Sequence, residues 1–455
     1  MISSCFPVTT VETIAGLDDG SIAIGPFGSS MKASLYTATG VPVVRGNNIG
    51  SGRKLVGDYV YVAQETADRL KRSLLKEGDL FFPHRGAIGE VGIVTPSDPQ
   101  PLLMSTSLMR LRVNTAIADP DFVFWFFKSA MGKDEILQFA STVGTPGIGQ
   151  PLTSLRAMTM PLPPLTEQRE IASILGALDD KIELNRRMAA TLEEMARALY
   201  RSWFVDFDPV KAKADGQMPA FMDEETAALF PDRFGDDGLP EGWARQAIGL
   251  HFRALKGLSY KGSGLCDENA GLPLHNLNSV LEGGGYKYSG IKYYRGDYKD
   301  RHVVHPGDLI VANTEQGFDH MLIGHSAIVP RNFGPMGLFS HHLYKVEPKA
   351  STWLSREWLY LTLSAGPSGT VIRSFSNGTT VNMLPSDAFD LPLIVVPPQP
   401  VIAVFNRLTS PWFERRDEAI AQTATLGTLR DTLLPKLMSG ELRVAEARDQ
   451  IEEVA

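Results

Sequence analysis

The sequence predicts an α+β protein: two β-rich domains held at opposite ends of a long antiparallel two-helix coiled coil. Three observations predict it, namely an internal repeat, a long helical segment after each copy of the repeat, and an uneven spread of charge. The 455 residues suffice for about three domains. With 43% hydrophobic and 21% charged residues, the composition is globular and excludes a mostly disordered or collagen-like chain.

The repeat comes first along the chain. Val41-Pro-Val-Val-Arg-Gly-Asn-Asn-Ile49 matches Leu272-Pro-Leu-His-Asn-Leu-Asn-Ser-Val280, and Gly78-Asp-Leu80 matches Gly307-Asp-Leu309. Gly144-Thr145 answers Gly378-Thr379, and Pro163-Pro164 answers Pro397-Pro398. The offsets are 231, 229, 234 and 234 residues, so order and spacing both hold. One pair alone is only a turn into a strand, but four in series imply two copies of one β-rich domain.

Each Pro-Pro pair is followed by a helical stripe. From Thr166 to Phe204 there is no proline, and Thr166 is the expected N-cap. Its apolar or small positions are Ile171, Leu175, Leu178, Ile182, Asn185, Ala189, Leu192, Ala196, Leu199 and Trp203, the stepping of a coiled-coil seam. The matching stripe runs Val401, Phe405, Leu408, Trp412, Arg415, Ala419, Gln422, Leu426, Leu429, Leu433. Pro411 is expected to kink or break this second helix. The first helix leads away from domain one and the second must return, so the two pair antiparallel, with Asn185 as a register-setting contact. The expected segments are a first domain at 1–165, a helix at 166–205 and an acidic packed linker at 206–243. A second domain at 244–398, a second helix at 399–442 and a tail at 443–455 follow.

The net charge of −8 lies mainly in residues 161–240, which carry 9 basic against 16 acidic residues. The repeats are close to neutral, with 14 against 14 over 1–160 and 14 against 13 over 241–396. A uniformly basic nucleic-acid binder is thereby excluded, but local basic clusters are not. No apolar run reaches the ~18 residues of a spanning helix. No secretory signal is visible, and a cytoplasmic location is expected. The two cysteines, Cys5 and Cys266, cannot make a disulfide framework or a four-thiolate zinc site.

Catalytic signatures are lacking. There is no phosphate-binding Gly-x-x-x-x-Gly-Lys-Ser/Thr loop, no Gly-x-Gly-x-x-Gly after a strand, no Asn-Pro-Pro-Tyr and no Gly-x-Ser-x-Gly elbow. Histidines 302, 305, 320, 325, 341 and 342 form no metal-ligand spacing, and are read as polar or base-contacting. What the repeats offer instead is loops combining glycine with donors for phosphates and base edges. In the first copy these supply Ser29, Ser30 and Lys32, then Arg45, Asn47 and Asn48, then Arg85, then Thr145. In the second, comparable stations hold Lys256, Ser259, Tyr260 and Lys261, then His275, Asn276 and Asn278, then Asn313 and Thr314, then Asn377 and Thr379. Arginine can pair with guanine and asparagine with adenine through two hydrogen bonds each. The competing reading of every loop is a tight turn.

Pro161-Leu-Pro-Pro-Leu-Thr-Glu-Gln-Arg-Glu-Ile-Ala172, Ser202-Trp-Phe-Val-Asp-Phe-Asp-Pro209, Leu229-Phe-Pro231, Pro240-Glu-Gly-Trp243 and Thr432-Leu-Leu-Pro-Lys-Leu-Met-Ser-Gly-Glu-Leu442 together resemble the specificity subunit of type I restriction-modification systems. The resemblance implies a non-catalytic subunit with two target-recognition domains on a bipartite double-stranded DNA site. It further implies two methyltransferase subunits and restriction-translocase subunits as partners. S-adenosylmethionine, ATP and magnesium would act in those partners, with no cofactor on this chain. Two other readings stay open: the specificity portion of a fused restriction-methylation enzyme, and a structural adapter that binds no DNA.

Overall fold

The computed structural model describes residues 5–141, 147–316, 321–378 and 381–452. The chain divides into two compact units, one of residues 1–184 with 423–455 and one of residues 185–422.

In the first unit, nine short strands form two sheets. They are β1 (Ile22–Ile24), β2 (Tyr36–Thr37), β3 (Val41–Val44), β4 (Val60–Val62), β5 (Leu74–Leu75), β6 (Leu80–Pro83), β7 (Gly92–Ile93), β8 (Leu102–Met104) and β9 (Leu108–Leu111). One sheet has the order β1-β9-β6-β7 and the other β2-β4-β3-β8-β5. All pairs are antiparallel except β3 with β8, where Val43 lies opposite Leu103. A further two-stranded ladder joins Val8–Thr10 to Thr159–Pro161.

The second unit repeats this arrangement strand for strand. Its strands are β10 (Phe252–Lys256), β11 (Leu265–Cys266), β12 (Leu272–His275), β13 (Lys292–Tyr294), β14 (Val303–Val304), β15 (Leu309–Ala312), β16 (Ser326–Ile328), β17 (Gly337–Phe339) and β18 (Leu343–Pro348). The sheet orders are β10-β18-β15-β16 and β11-β13-β12-β17-β14. The parallel pair recurs as β12 with β17, Leu274 opposite Leu338. Ala244–Ala247 pairs with Leu393–Val396 as the closing ladder.

The repeated Gly-Asp-Leu has a mechanical cause. Gly78 and Gly307 both take positive φ, 79° and 88°, which only glycine adopts freely. The next residue, Asp79 or Asp308, then accepts the backbone N–H three residues earlier, from Lys76 or His305, at 2.9 Å in each copy. Arg112 neutralises Asp79 through two 2.6 Å bonds, and Arg356 neutralises Asp308 at 2.8 Å. A buried carboxylate thus fixes the entry to β6 and to β15.

Each domain carries a short helix with a buried, mainly apolar middle. In α1 (Pro120–Lys128) the Asp119 cap accepts the Phe122 N–H at 3.1 Å, and every residue from Phe122 to Phe127 is buried. That run is therefore core on all sides. Its counterpart α3 (Arg356–Ser364), numbered after the long helix α2 (Leu165–Phe204), is capped by Ser355 through the Trp358 N–H at 3.0 Å.

The two long helices are α2, 40 residues and about 60 Å at 1.5 Å per residue, and α4 (Gln399–Ser439) of 41 residues. They pair antiparallel. In the first unit Asp179 meets Arg430 at 3.0 Å; in the second Asn185 meets Gln422 at 3.1 Å and Glu193 meets Arg416 at 3.4 Å. The molecule is thus α+β, with two β-rich domains and two long helices that both run through both units.

Several sequence expectations change at this level. Helix α2 begins at Leu165, so Thr166 lies in its first turn rather than capping it. Helix α4 is continuous through Pro411, which lies on its exposed face, while Phe405, Thr409 and Phe413 stay packed on the other and hold the helix across the lost N–H and the crowded carbonyl. The seam also shifts. Ile171, Leu175, Leu178, Ile182 and Asn185 are buried, while Leu192 and Leu199 are half-buried. Phe405, Leu426 and Leu433 are buried and Leu429 half-buried, but Leu408 is 39% exposed. The buried stripe runs Phe405, Thr409, Phe413, Arg416, an 11-residue step, because α4 packs on the domain core as well as on α2.

Residues 206–243 contribute to the second core. Phe230 and Trp243 are buried, with Phe230 5.1 Å from Trp203 and Trp243 5.8 Å from Phe204, centroid to centroid. Among the described residues no helix is long and apolar enough to cross a membrane.

Candidate nucleic-acid interface

In the first domain the loops after β1, β3 and β6 and the turn before β9 abut. Ser105 N–H donates to the Val44 carbonyl at 3.0 Å, and His84 N–H to the Ser107 carbonyl at 2.9 Å. A Cβ on Gly25 would lie 2.0 Å from the Ser105 carbonyl oxygen, and one on Gly46 would lie 3.6 Å from Ala87. Gly25 is therefore a close-approach position, while Gly46 lies at ordinary contact distance from the neighbouring loop. The abutting loops place Ser29, Lys32, Asn47 and Arg85, all exposed, side by side, with Ser30 half-buried beside them.

Two candidates in this set serve the loop itself. Asn48 is fully buried; its Oδ1 accepts the Arg45 N–H at 3.0 Å, and its Nδ2 donates to the Val56 and Asp58 carbonyls. The amide expected to read a base is spent closing the turn. Arg45 is half-buried, donates Nη2 to the Asp58 carbonyl at 3.2 Å, and keeps a buried Nε without a partner. Thr145 lies outside the described residues.

In the second domain the exposed candidates are Lys256, Ser259, Lys261, Asn278 and Asn377, with Tyr260 half-buried. Ser259, Lys261, Tyr294 and Arg295 line a shallow depression. Here too, matched stations are structural. His275 is 1% exposed and hydrogen-bonded through Nδ1 to the Tyr286 hydroxyl at 2.7 Å; burial pushes its pKa down to about 4. The buried Asn276 amide accepts the Asn278 N–H at 2.9 Å and donates to the Leu274 carbonyl. Ser279 Oγ accepts the Asn276 N–H at 3.0 Å, the role Asn48 plays in the first copy. Asn313 and Thr314 are buried as well: Asn313 Nδ2 donates to the His341 carbonyl, and Thr314 Oγ1 bonds His342 Nδ1 at 2.9 Å. His275, Asn276 and Asn313 therefore face inward, because the repeat's polar turn residues are needed to close its turns. Thr379 lies outside the described residues.

The structure adds residues that the loop pattern did not single out. Lys292 Nζ bonds the Tyr260 hydroxyl at 3.0 Å and sits 5.5 Å from its ring centroid. The Tyr260 ring is 6.4 Å from His341, whose ring stacks on His342 at 3.9 Å. Burial first, then His341, Lys292 and Lys256, hold the His342 pKa below its ordinary value, so the ring is uncharged at neutral pH. Two signals in the sequence point here: the interleaving of tyrosines and basic residues from Tyr286 to Arg301, and the His341-His342 pair already read as polar or base-contacting. Among the described residues no three His, Cys, Asp or Glu side chains converge as metal ligands would.

Comparison with known proteins gives a consistent answer. Residues 28–194 match the family described as the type I restriction modification DNA specificity domain. The MjaIX type I restriction enzyme specificity subunit of Methanocaldococcus jannaschii is 24% identical over 398 residues, covering 86% of this chain and 85% of its own. The HindI specificity subunit of Haemophilus influenzae is 26% identical over 424 residues, covering 82% and 88%. Among solved structures, the type I restriction-modification S subunit from M. genitalium aligns with a TM-score of 0.61 at 14% identity, over 96% of this chain and 97% of that one. The last likeness is one of fold.

Proposed function

The chain is a relative of the specificity subunits of type I restriction-modification systems, and on that premise we propose that it is the sequence-reading subunit of such a complex. Its two domains read the two halves of a bipartite DNA site. Its long helices hold the domains apart and dock two methyltransferase subunits and the restriction-translocase subunits. This chain performs no catalysis; S-adenosylmethionine, ATP and magnesium act in the partner subunits, in the cytoplasm.

One observation carries this reading. The same strand order occurs twice, and the loops that abut at matched positions carry different side chains in each copy. A duplicated scaffold with divergent loops suits the reading of two different half-sites, since phosphate contacts position and base contacts specify. The repeats' near-neutral charge leaves part of the electrostatic clamp to partner subunits.

The test is to co-express the chain with its modification subunits and map methylated adenines by single-molecule sequencing. A bipartite motif with a fixed gap is expected, together with tighter binding to duplex containing it than to random duplex. Binding that is indifferent to sequence would overturn the proposal in favour of an adapter.

A further inference from the structure

The two domains share a framework but present different chemistry at one matched station. Ser105 and Ser340 donate their N–H groups to the carbonyls that end β3 and β12, Val44 and His275. His84 donates to Ser107 as Asn313 donates to His342. Val60 lies opposite Val43 as Lys292 lies opposite Leu274. By these equivalences, Ser105-Thr-Ser107 and Val60 of the first domain correspond to Ser340-His-His342 and Lys292 of the second. Two hydroxyls and an aliphatic residue are replaced by two imidazoles and a lysine.

That station in the second domain has the marks of a surface built for a ligand. A row of rings runs Tyr294, Tyr260, His341, His342, with centroid separations of 6.1, 6.4 and 3.9 Å. Lys292 flanks it, bonded to Tyr260, and Lys256 lies near enough to act on His342. Beneath it, Asn313 Oδ1 and Ser340 Oγ are buried without partners, in side chains 2% and 0% exposed, and His341 Nδ1 is likewise buried and unpaired. Buried polar atoms are normally satisfied, so three at one place mark where an outside group would complete the set.

We propose that the second domain grips its half-site through this cluster, with Lys256 and Lys292 on backbone phosphates and the His341–His342 pair on base edges. The inference rests on the DNA-reading function proposed above and assigns which residues perform it in this domain. The division of labour follows from charge and geometry. Ammonium groups seek phosphates. Thr314 Oγ1 is hydrogen-bonded to Nδ1 of His342 and holds the ring's orientation, which leaves Nε2 as the nitrogen that can donate to or accept from a base edge.

The test uses the full chain in complex with its modification subunits and a duplex bearing the mapped site. Lys256→Gln and Lys292→Gln are expected to weaken all sequences alike, each lowering the slope of log affinity against log salt by about one. His342→Ala is expected to lose about 10-fold in preference at one base position of one half-site, with the other half-site unchanged as a folding control. Wild-type affinity, slope and preference in all three variants would overturn the proposal. Should His342→Ala fail to fold, unchanged salt slopes in the lysine variants alone would overturn it. A wild-type complex without sequence preference would instead sink the DNA-reading function itself.

Discussion

The Asn48 amide accepts one backbone N–H and donates to two carbonyls, whereas the Arg85 side chain is exposed on a loop beside it in the sheet framework. Asn48→Ala leaves those backbone groups without partners and is expected to cost about 2–3 kcal/mol in denaturant unfolding, with the base preference intact. Arg85→Ala is expected to do the reverse: unchanged unfolding, and either a relaxed preference at one base or a uniform loss with a shallower salt slope. If Arg85→Ala changes neither binding nor preference, its loop is only a turn. His275 gives a pH signature to the second domain. Its pKa falls from the ordinary 6.5 to about 4 because the ring is buried. Below pH 6.5 the unfolded chain takes up a proton that the folded one refuses, so stability falls as pH drops from 6.5 to about 4 and levels off below. The full loss is about 3 kcal/mol. The first domain carries Val44 at the equivalent position and so lacks this particular histidine, although burial also lowers the pKa of its own His84. Hydrogen exchange at pH 7 and pH 4.5 checks this; His275→Gln should reduce the second domain's response, leaving the part due to His251, His302 and His342.

At the scale of elements, the long helices are joined by buried ions as well as apolar packing. Asp179 binds Arg430 at 3.0 Å and also accepts the Arg53 N–H at 2.9 Å; Arg430 packs 5.8 Å from the Trp125 ring centroid. Glu193 binds Arg416 and Arg197 in the other unit, and the Tyr360 hydroxyl donates to it. Buried pairs of this kind add little over apolar packing, yet removing one partner strands a charge. Asp179→Ala is therefore expected to destabilise the first unit by about 3–5 kcal/mol, and Asp179→Leu with Arg430→Met to recover most of that loss. Equal damage from the single and double variants, measured by thermal melting, would show that the ionic pair itself is indispensable. These ions also explain why the apolar stripe in α4 is weak to read: two of its buried positions are arginines.

For the whole molecule, duplication is the organising fact. Each domain brings its own sheets, its own ladder joining its first and last strands, and its own core, so each can change its loops independently. Replacing residues 1–165 with the matching domain of a relative is expected to alter one half of the methylated motif and leave the other. A swap that changes both halves together would contradict two independent readers.

The sequence alone determined the repeat, the strand-rich character of both copies and the antiparallel sense of the helices, because glycine turns, proline stops and apolar periodicity are local and survive in one dimension. Gly78 and Gly307 are visible for that reason: a positive φ needs glycine wherever the chain folds. Only tertiary structure decided which polar side chains are free. Asn47 and Asn48 are adjacent and chemically identical, yet one is exposed and the other is consumed by three backbone partners, Arg45, Val56 and Asp58. Likewise Lys292 is distant in sequence from the adjacent His341 and His342 and meets them only because β13 and the turn before β18 converge, which no local pattern records. Burial and hydrogen-bond satisfaction are properties of the packed chain, so spacing can name candidate residues while the fold chooses among them.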